Sequence, residues 1–208
     1  MLRDYYLMTK PGIIRGNLIT VAGAFFFASK GDIDVLLFAS TVIGIALVIA
    51  SACVFNNYID RDIDRVMQRT KERALAKSSI KTWHALIFGV LIGLVGLAIL
   101  AIFVNMITAT LGVFAIFAYV VLYGFAKRRS EHGTLVGSVS GALPITAGYV
   151  AVTGKFDAVS TILFLILVFW QMPHFYSIAI FRMKEYQAAK LPMLPIKRGI
   201  LNTKIQMT

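Results

Sequence analysis

Long uncharged apolar runs alternate with short charged intervals along this chain. Val35–Ile59 carries no charge, Thr82–Ala126 carries none for 45 residues, and Thr134–Gly154 and Ala158–Phe181 add two more such runs. A helix needs about 20 mostly apolar residues to cross a bilayer. The run from Thr82 is long enough for two crossings with a break near Asn105. Residues 13–29 form a shorter run that contains Arg15 and Asn17. The pattern therefore predicts six transmembrane helices. Unpaired backbone is too costly in lipid for any other spanning element in such runs, so the fold class is all-α, a polytopic membrane helix bundle.

Composition agrees. Hydrophobic residues make up 58% of the 208, and mean hydropathy is +0.77, beyond the range of soluble domains. No stretch reads as a separate soluble domain, so residues 1–208 are expected to form one integral-membrane domain. Residues 1–12 are polar, and no small-residue cleavage site follows a compact apolar core, so the first helix is expected to stay as a signal anchor. Cys53 is the sole cysteine, which excludes an internal disulfide and reads as a small buried apolar residue.

Charge then sets orientation. Counted over alternate sides of the six helices, Lys and Arg divide 19 against 2. The basic side is expected to be cytoplasmic, with both ends of this chain inside, as in a bacterial plasma membrane. The net charge of +11 is thus mostly topology, with attraction to anionic lipid added. The basic residues are split among membrane-edge loops, which speaks against nucleic-acid binding. Gly89, Gly93 and Gly96 in the third span, and Gly137 and Gly141 in the fifth, stand at helical spacing and predict close helix packing through small faces.

The chemistry concentrates in "FNNYIDRDIDRVMQRTKERAL", Phe55–Leu75, where the second span meets water. Asn56, Asp60 and Asp64 stand at i, i+4 and i+8, so all three can share one face of a continuing helix. Asn57, Asp60 and Asp64 meet the spacing nearly as well. Like charges at i,i+4 near a low-dielectric boundary repel, and a divalent cation removes the conflict. Mg²⁺ suits carboxylate and amide oxygens and shares phosphate oxygens. Arg61, Arg65, Arg69, Lys71 and Arg73 follow and can meet a phosphate directly. A metal–diphosphate site is the expectation. A plain solvated loop explains any single charge here, but not the ordered set.

"NNYIDRDIDRVMQRTKER" resembles the first aspartate-rich motif of the UbiA superfamily of intramembrane prenyltransferases. "TKPGIIRGNLITVAGAFF", "YGFAKRRSEHGTLVGSVSGALPITAGYVAVTG" and "FWQMPHFYSIAIFRMKEYQAAKLPMLP" are similar to its haem branch, the protohaem IX farnesyltransferases or haem O synthases. The resemblance covers essentially the whole chain. It implies a Mg²⁺-dependent transfer of farnesyl from farnesyl diphosphate to a vinyl group of haem B, with water added. Asp60, Asp64 and Asn56 would then be catalytic and hold the metal. Arg61, Arg65, Arg69, Lys71, Arg73, Lys127 and Arg128 would bind diphosphate. The product, haem O, implies a haem A synthase or terminal oxidase assembly as partner.

Two features depart from the family. Arg73-Ala74-Leu75 replaces a usual Arg-Pro-Leu, and the family's nine helices exceed the six here, so the chain reads as incomplete at its C-terminal end. Other branches carry a second acidic motif after the sixth helix, where this chain offers His174, Lys184 and Glu185. Lys184 and Glu185 are expected at the end of the sixth helix, as a second diphosphate or propionate contact. His174, after Pro173 in an apolar helix, is the expected haem-site residue, since imidazole is a usual ligand of haem iron. His132, beside two arginines, is a second haem candidate, whereas His84 reads as interfacial. Two rivals remain: a prenyltransferase with an aromatic quinone-precursor acceptor, and a cation-coupled transporter using Asp60 and Asp64.

The charge count yields a first test. A thiol introduced at Asp157 is expected to react with an impermeant reagent added outside the cell, and one at Ser78 only after permeabilisation. The reverse labelling pattern would overturn the orientation.

Overall fold

The computed structural model describes residues 2–207, which form helices and turns with no strand among them. A short helix, α1 (Leu2–Met8), precedes the first span, α2 (Pro11–Ser29). The others are α3 (Val35–Ile59), a fourth-helix stub α4 (Arg61–Val66), α5 (Thr82–Phe103), and a span built from α6 (Met106–Phe117), a π-helical turn (Ala118–Tyr123) and α7 (Gly124–Arg129). Then come α8 (Gly133–Thr153), α9 (Ala158–Phe181) and three short helices, α10 (Met183–Ala188), α11 (Leu194–Lys197) and α12 (Gly199–Ile205). Six of these segments are long and apolar enough to cross a membrane, as the uncharged runs predict. Large apolar side chains such as Leu94, Ile102 and Phe169 stand exposed on the outside, as lipid-facing residues must.

Local chemistry explains the ends. The first span begins at Pro11, two residues before the expected start, because proline suits the first turn of a helix. Its Asn17 is tolerated since the side-chain amide donates to the Ile13 carbonyl at 2.8 Å. Asp34 caps α3, and Asp157 with Ser160 forms a reciprocal capping box on α9. Asn105 makes the expected break. Its Oδ1 accepts from the Thr108 N–H at 2.8 Å, and its Nδ2 donates to the Val150 and Ala151 carbonyls of α8 at 3.1 and 3.2 Å. The break is thus a cap and a cross-link together.

Glycines set the packing. A Cβ on Gly96 would lie 2.9 Å from the Gly44 carbonyl oxygen, and Ser51 Oγ donates to the Gly89 carbonyl at 2.8 Å, so α3 and α5 meet backbone to backbone. A Cβ on Gly148 would lie 2.4 Å from the Val21 carbonyl oxygen, which locks α8 against α2. α8 is the most enclosed span, and Val21, Ile45, Val48, Leu100 and Ala147 pack beside it as one cluster. At the loop end, residues 67–81 collapse onto the bundle. Ala74, Leu75 and Ile80 are buried with Met8, Val54 and Ala85, and Tyr5 meets Phe88 edge to face at 5.1 Å.

Gly148→Ala is expected to lower stability in detergent by about 1–3 kcal/mol, because the clash is with backbone rather than a movable side chain. Gly23→Ala, which meets nothing within 4 Å, is the control and is expected to be neutral or slightly stabilising. Equal melting temperatures for the two variants would contradict this packing.

Candidate active site

Asn56, Asp60 and Asp64 come onto one side of the chain, but across a joint rather than along one continuing helix. α3 ends at Ile59, Asp60 turns with φ −87° and ψ 4°, and α4 restarts at Arg61. Helical bonding runs through the joint: the Asp60 N–H donates to the Asn56 carbonyl at 2.9 Å, and the Asp64 N–H to the Asp60 carbonyl at 2.7 Å. That bonding preserves the shared face. All three side chains are buried, with Asp60 at 1% exposure.

Buried carboxylates need counter-charge, and basic residues from elsewhere in the chain supply it. Lys127 Nζ donates to Asp60 Oδ2 at 2.7 Å, and Asn56 Nδ2 donates to the same oxygen at 3.1 Å. Arg73 Nη1 reaches both oxygens of Asp64, at 2.9 and 2.8 Å. Lys10 Nζ donates to Asn56 Oδ1 at 2.5 Å. Burial pulls the Lys10 ammonium from 10.5 down to about 8. Arg128 grips Asp62 with both terminal nitrogens, at 2.9 and 2.6 Å, donates to the Ile59 carbonyl, and lies 3.8 Å from Asp60 Oδ1. Its guanidinium holds the Asp62 carboxyl at about 2.

A hard cation would find one free oxygen here, since Asn56 Oδ1 accepts from Lys10 and both Asp64 oxygens accept from Arg73, and those bases would have to give way for the full set to coordinate. Asp60 Oδ1 is buried and has no hydrogen-bond partner, and it stands in one bonded face with the Asn56 amide and the Asp64 carboxylate. No group of three His, Cys, Asp or Glu residues gathers among the described residues, so the amide oxygen is needed to complete such a site. Asn57 is the weaker alternative. Its Nδ2 donates to the Met8 carbonyl at 2.8 Å and ties α3 to α1, although its Oδ1 is also buried without a partner.

A mostly apolar cavity of about 590 Å³ runs among α2, α3, the fourth span, α8 and α9. Cys53, one turn before Asn56, and Tyr123, one turn before Lys127, line it and join it to the acidic site. The Lys127 ammonium sits 5.9 Å above the Tyr123 ring, and Tyr119 stacks on Tyr123 at 5.5 Å. Both tyrosines belong to the π-helical turn, a distortion common at functional sites.

The UbiA prenyltransferase family profile matches residues 17–208. The chain belongs to the UbiA prenyltransferase family. It is 53% identical over 209 residues to "Protoheme IX farnesyltransferase" of Yersinia pseudotuberculosis serotype O:1b (strain IP 31758), covering all of this chain and 71% of that one. The protein of the same name from Sodalis glossinidius (strain morsitans) is 52% identical, with 100% and 70% covered. Among solved structures, a UbiA homolog from Archaeoglobus fulgidus bound to GPP and Mg²⁺ superposes with a TM-score of 0.78 at 16% identity, over 98% of this chain and 73% of that one. A digeranylgeranylglyceryl phosphate synthase gives 0.79 at 22%, over 99% and 72%. At these identities the structures speak for the fold alone.

Within this UbiA fold the other expected residues fall in distinct places. Arg73 and Lys127 bind the two buried carboxylates, and Arg128 binds Asp62. Arg61 donates to the Tyr58 carbonyl at 3.2 Å and covers the Tyr58 ring at 4.4 Å. Arg65 ties the following loop, donating to the Ala76 carbonyl at 2.9 Å and to Ser78 Oγ at 3.3 Å. Lys71 is exposed, and Arg69 lines the cavity. His174 also lines the cavity and stacks on Trp170 at 5.6 Å. His132 is exposed just before α8, away from the cavity. Lys184 and Glu185 lie on α10, past the end of α9 at Phe181, rather than on the sixth helix itself. Glu185 pairs with Arg182 at 3.0 Å.

Lys10, Tyr119, Tyr123 and Gln171 are site residues the sequence reading passed over. Tyr119, Tyr123 and Lys127 stand at i, i+4 and i+8, a signal that was available. Lys10 gave none, since its partner Asn56 is 46 positions away. Its backbone is left-handed at φ 54°, unfavourable for a lysine before a proline, so the surrounding contacts hold it there.

Proposed function

We propose that this chain transfers the farnesyl group of farnesyl diphosphate to a vinyl group of protohaem IX, adding water to give haem O. The observation that carries this reading is the whole-chain match, at 53% identity, to proteins named protoheme IX farnesyltransferase. The geometry supports it. A buried acidic and basic cluster adjoins an apolar intramembrane cavity, which suits a diphosphate joined to an isoprenoid tail. The positive-inside count supports placing the site on the cytoplasmic side, and the bacterial sources of the relatives support a bacterial plasma membrane.

Asn56, Asp60 and Asp64 would hold Mg²⁺, and the Archaeoglobus fulgidus homologs bound to GPP or DMAPP with Mg²⁺ support that dependence. The ion supplies neutralisation of the diphosphate when bound. Lys127, Arg73 and Arg128 are already drawn to the acids and Lys10 to the Asn56 amide, so they stand ready to share their donors with phosphate oxygens. Their charge stabilises the leaving diphosphate as the allylic C–O bond breaks. The haem vinyl electron pair forms the new C–C bond, water captures the cation left on the vinyl carbon, and its proton passes to the diphosphate or to solvent. The stacked Tyr119 and Tyr123 and the apolar wall keep water from the first cation. His174 serves the acceptor side.

The deciding experiment gives membranes containing the protein haem B, farnesyl diphosphate and Mg²⁺, and reads the extracted haems by mass. A product heavier than haem B by one farnesyl group and one hydroxyl is expected, and its absence would remove the proposal.

Asp60→Asn and Asp64→Asn are each expected to cut transfer by about a hundredfold or more while membrane insertion persists. Unchanged turnover of both at limiting Mg²⁺ would refute the metal assignment. His174→Ala is expected to weaken haem binding or transfer, and to leave binding of a farnesyl diphosphate analogue as it was. An unaltered haem spectrum, affinity and turnover would make His174 a packing residue.

A further inference from the structure

A second cavity of about 530 Å³ opens beside the first. Arg69, His174, Ser177, Ile178, Phe181 and Arg182 line it, and Arg69, His174 and Ile178 line both. Arg69 differs from the cations that hold the acidic site together. Arg73, Lys127 and Arg128 each bind an aspartate, and Lys10 binds Asn56. The Arg69 side chain makes no hydrogen bond or ion pair among the described residues. Arg182 uses Nη1 on Glu185 Oε1 at 3.0 Å, which leaves the rest of its five-donor fork to spend elsewhere. Two guanidinium groups therefore border one cavity that continues into the apolar one.

We propose that Arg69 and Arg182 bind the two carboxylates of a flat tetrapyrrole acceptor at this second cavity. The assignment rests on the farnesyl-to-haem reading above. Protohaem is a planar apolar ring with both propionates on one edge and its vinyl groups away from that edge. It needs an apolar slot with cations at one end. Propionates held at Arg69 and Arg182 would direct the vinyl side of the ring past His174 into the first cavity, where the isoprenoid lies. Arginine suits this task, because its planar fork matches a carboxylate with two parallel hydrogen bonds. The diphosphate keeps the other cations, so each substrate has its own charged anchor and the two do not compete for one. Arg69 thereby moves from the diphosphate group, where its place in the motif put it, to the acceptor group.

Steady-state transfer with haem B and with its dimethyl ester, which lacks both carboxylate charges, tests this. Arg69→Gln and Arg182→Gln are each expected to raise the KM for haem B by about tenfold or more, the scale of one lost charge-assisted hydrogen-bonded contact. The KM for farnesyl diphosphate is expected to hold within about twofold, which is small on the same scale. With the dimethyl ester, variants and unsubstituted protein should behave alike, a pattern that general damage to the fold would not give. Arg69→Gln is the cleaner variant, as it removes no internal ion pair. An unchanged KM for haem B, an equal loss with the ester, or a raised KM for farnesyl diphosphate would overturn the assignment while leaving haem farnesylation intact. No haem O from the unsubstituted protein would overturn the parent reading, and this one with it.

Discussion

A carboxylate buried at the end of a membrane helix is the constraint to which the rest of this site answers. Asp60 is nearly inaccessible, and a lone ion there would cost several kcal/mol. Lys127 meets it from the fourth span, Asn56 from one turn earlier, and Lys10 steadies Asn56 from the N-terminal segment. One acid thus fixes three segments relative to each other: the second span, the fourth span and the N-terminal segment. It also explains the strained backbone at Lys10, which is tolerable only because the contact that needs it is buried and charged.

The same constraint shows why sequence reading stopped where it did. The spans were legible because lipid demands uninterrupted apolar runs, and even the Asn105 break could be read from one polar residue in a 45-residue run. The acidic face was legible because i, i+4, i+8 spacing survives a joint that keeps its helical hydrogen bonds. The joint itself was not, since nothing local in "NYIDRD" forbids a straight helix. The partners of the acids were legible only as a pool. Charge and proximity in sequence put Arg65 and Arg73 on equal terms, yet one clamps the Ala76 carbonyl and the other binds Asp64. That choice is made by how residues 67–81 fold back on α1 and α5, a tertiary event with no spacing rule behind it.

Glycine carries a similar ambiguity, and the structure divides it in two. Gly96 and Gly148 face backbone across a helix contact, so they draw α3 to α5 and α2 to α8. Gly137 and Gly141 face side chains instead: a Cβ on Gly137 would meet the Tyr123 ring at 3.0 Å, and one on Gly141 would meet Gln171 Oε1 at 2.3 Å. Tyr123 and Gln171 both line the large cavity. The first set closes space and the second reserves it. In sequence both appear as small residues at helical spacing, and the distinction lies in what the opposite helix presents.

That division tells which half of the bundle is scaffold and which half is site. α3 against α5, and α2 against α8, are held by backbone contacts that leave no slack. The walls around Tyr123, Gln171 and His174 are held by side chains that can rotate, in a cavity whose wall includes Pro144 within α8. Gln171 Oε1 is buried there without a hydrogen bond, a polar atom kept in an apolar setting at a cost. A bundle that needed only to persist in lipid would place an aliphatic residue at that position and a larger one than glycine opposite it. Room and polarity retained together, beside a rigid frame, are what a membrane enzyme needs to admit a large flat partner to an isoprenoid without admitting bulk water.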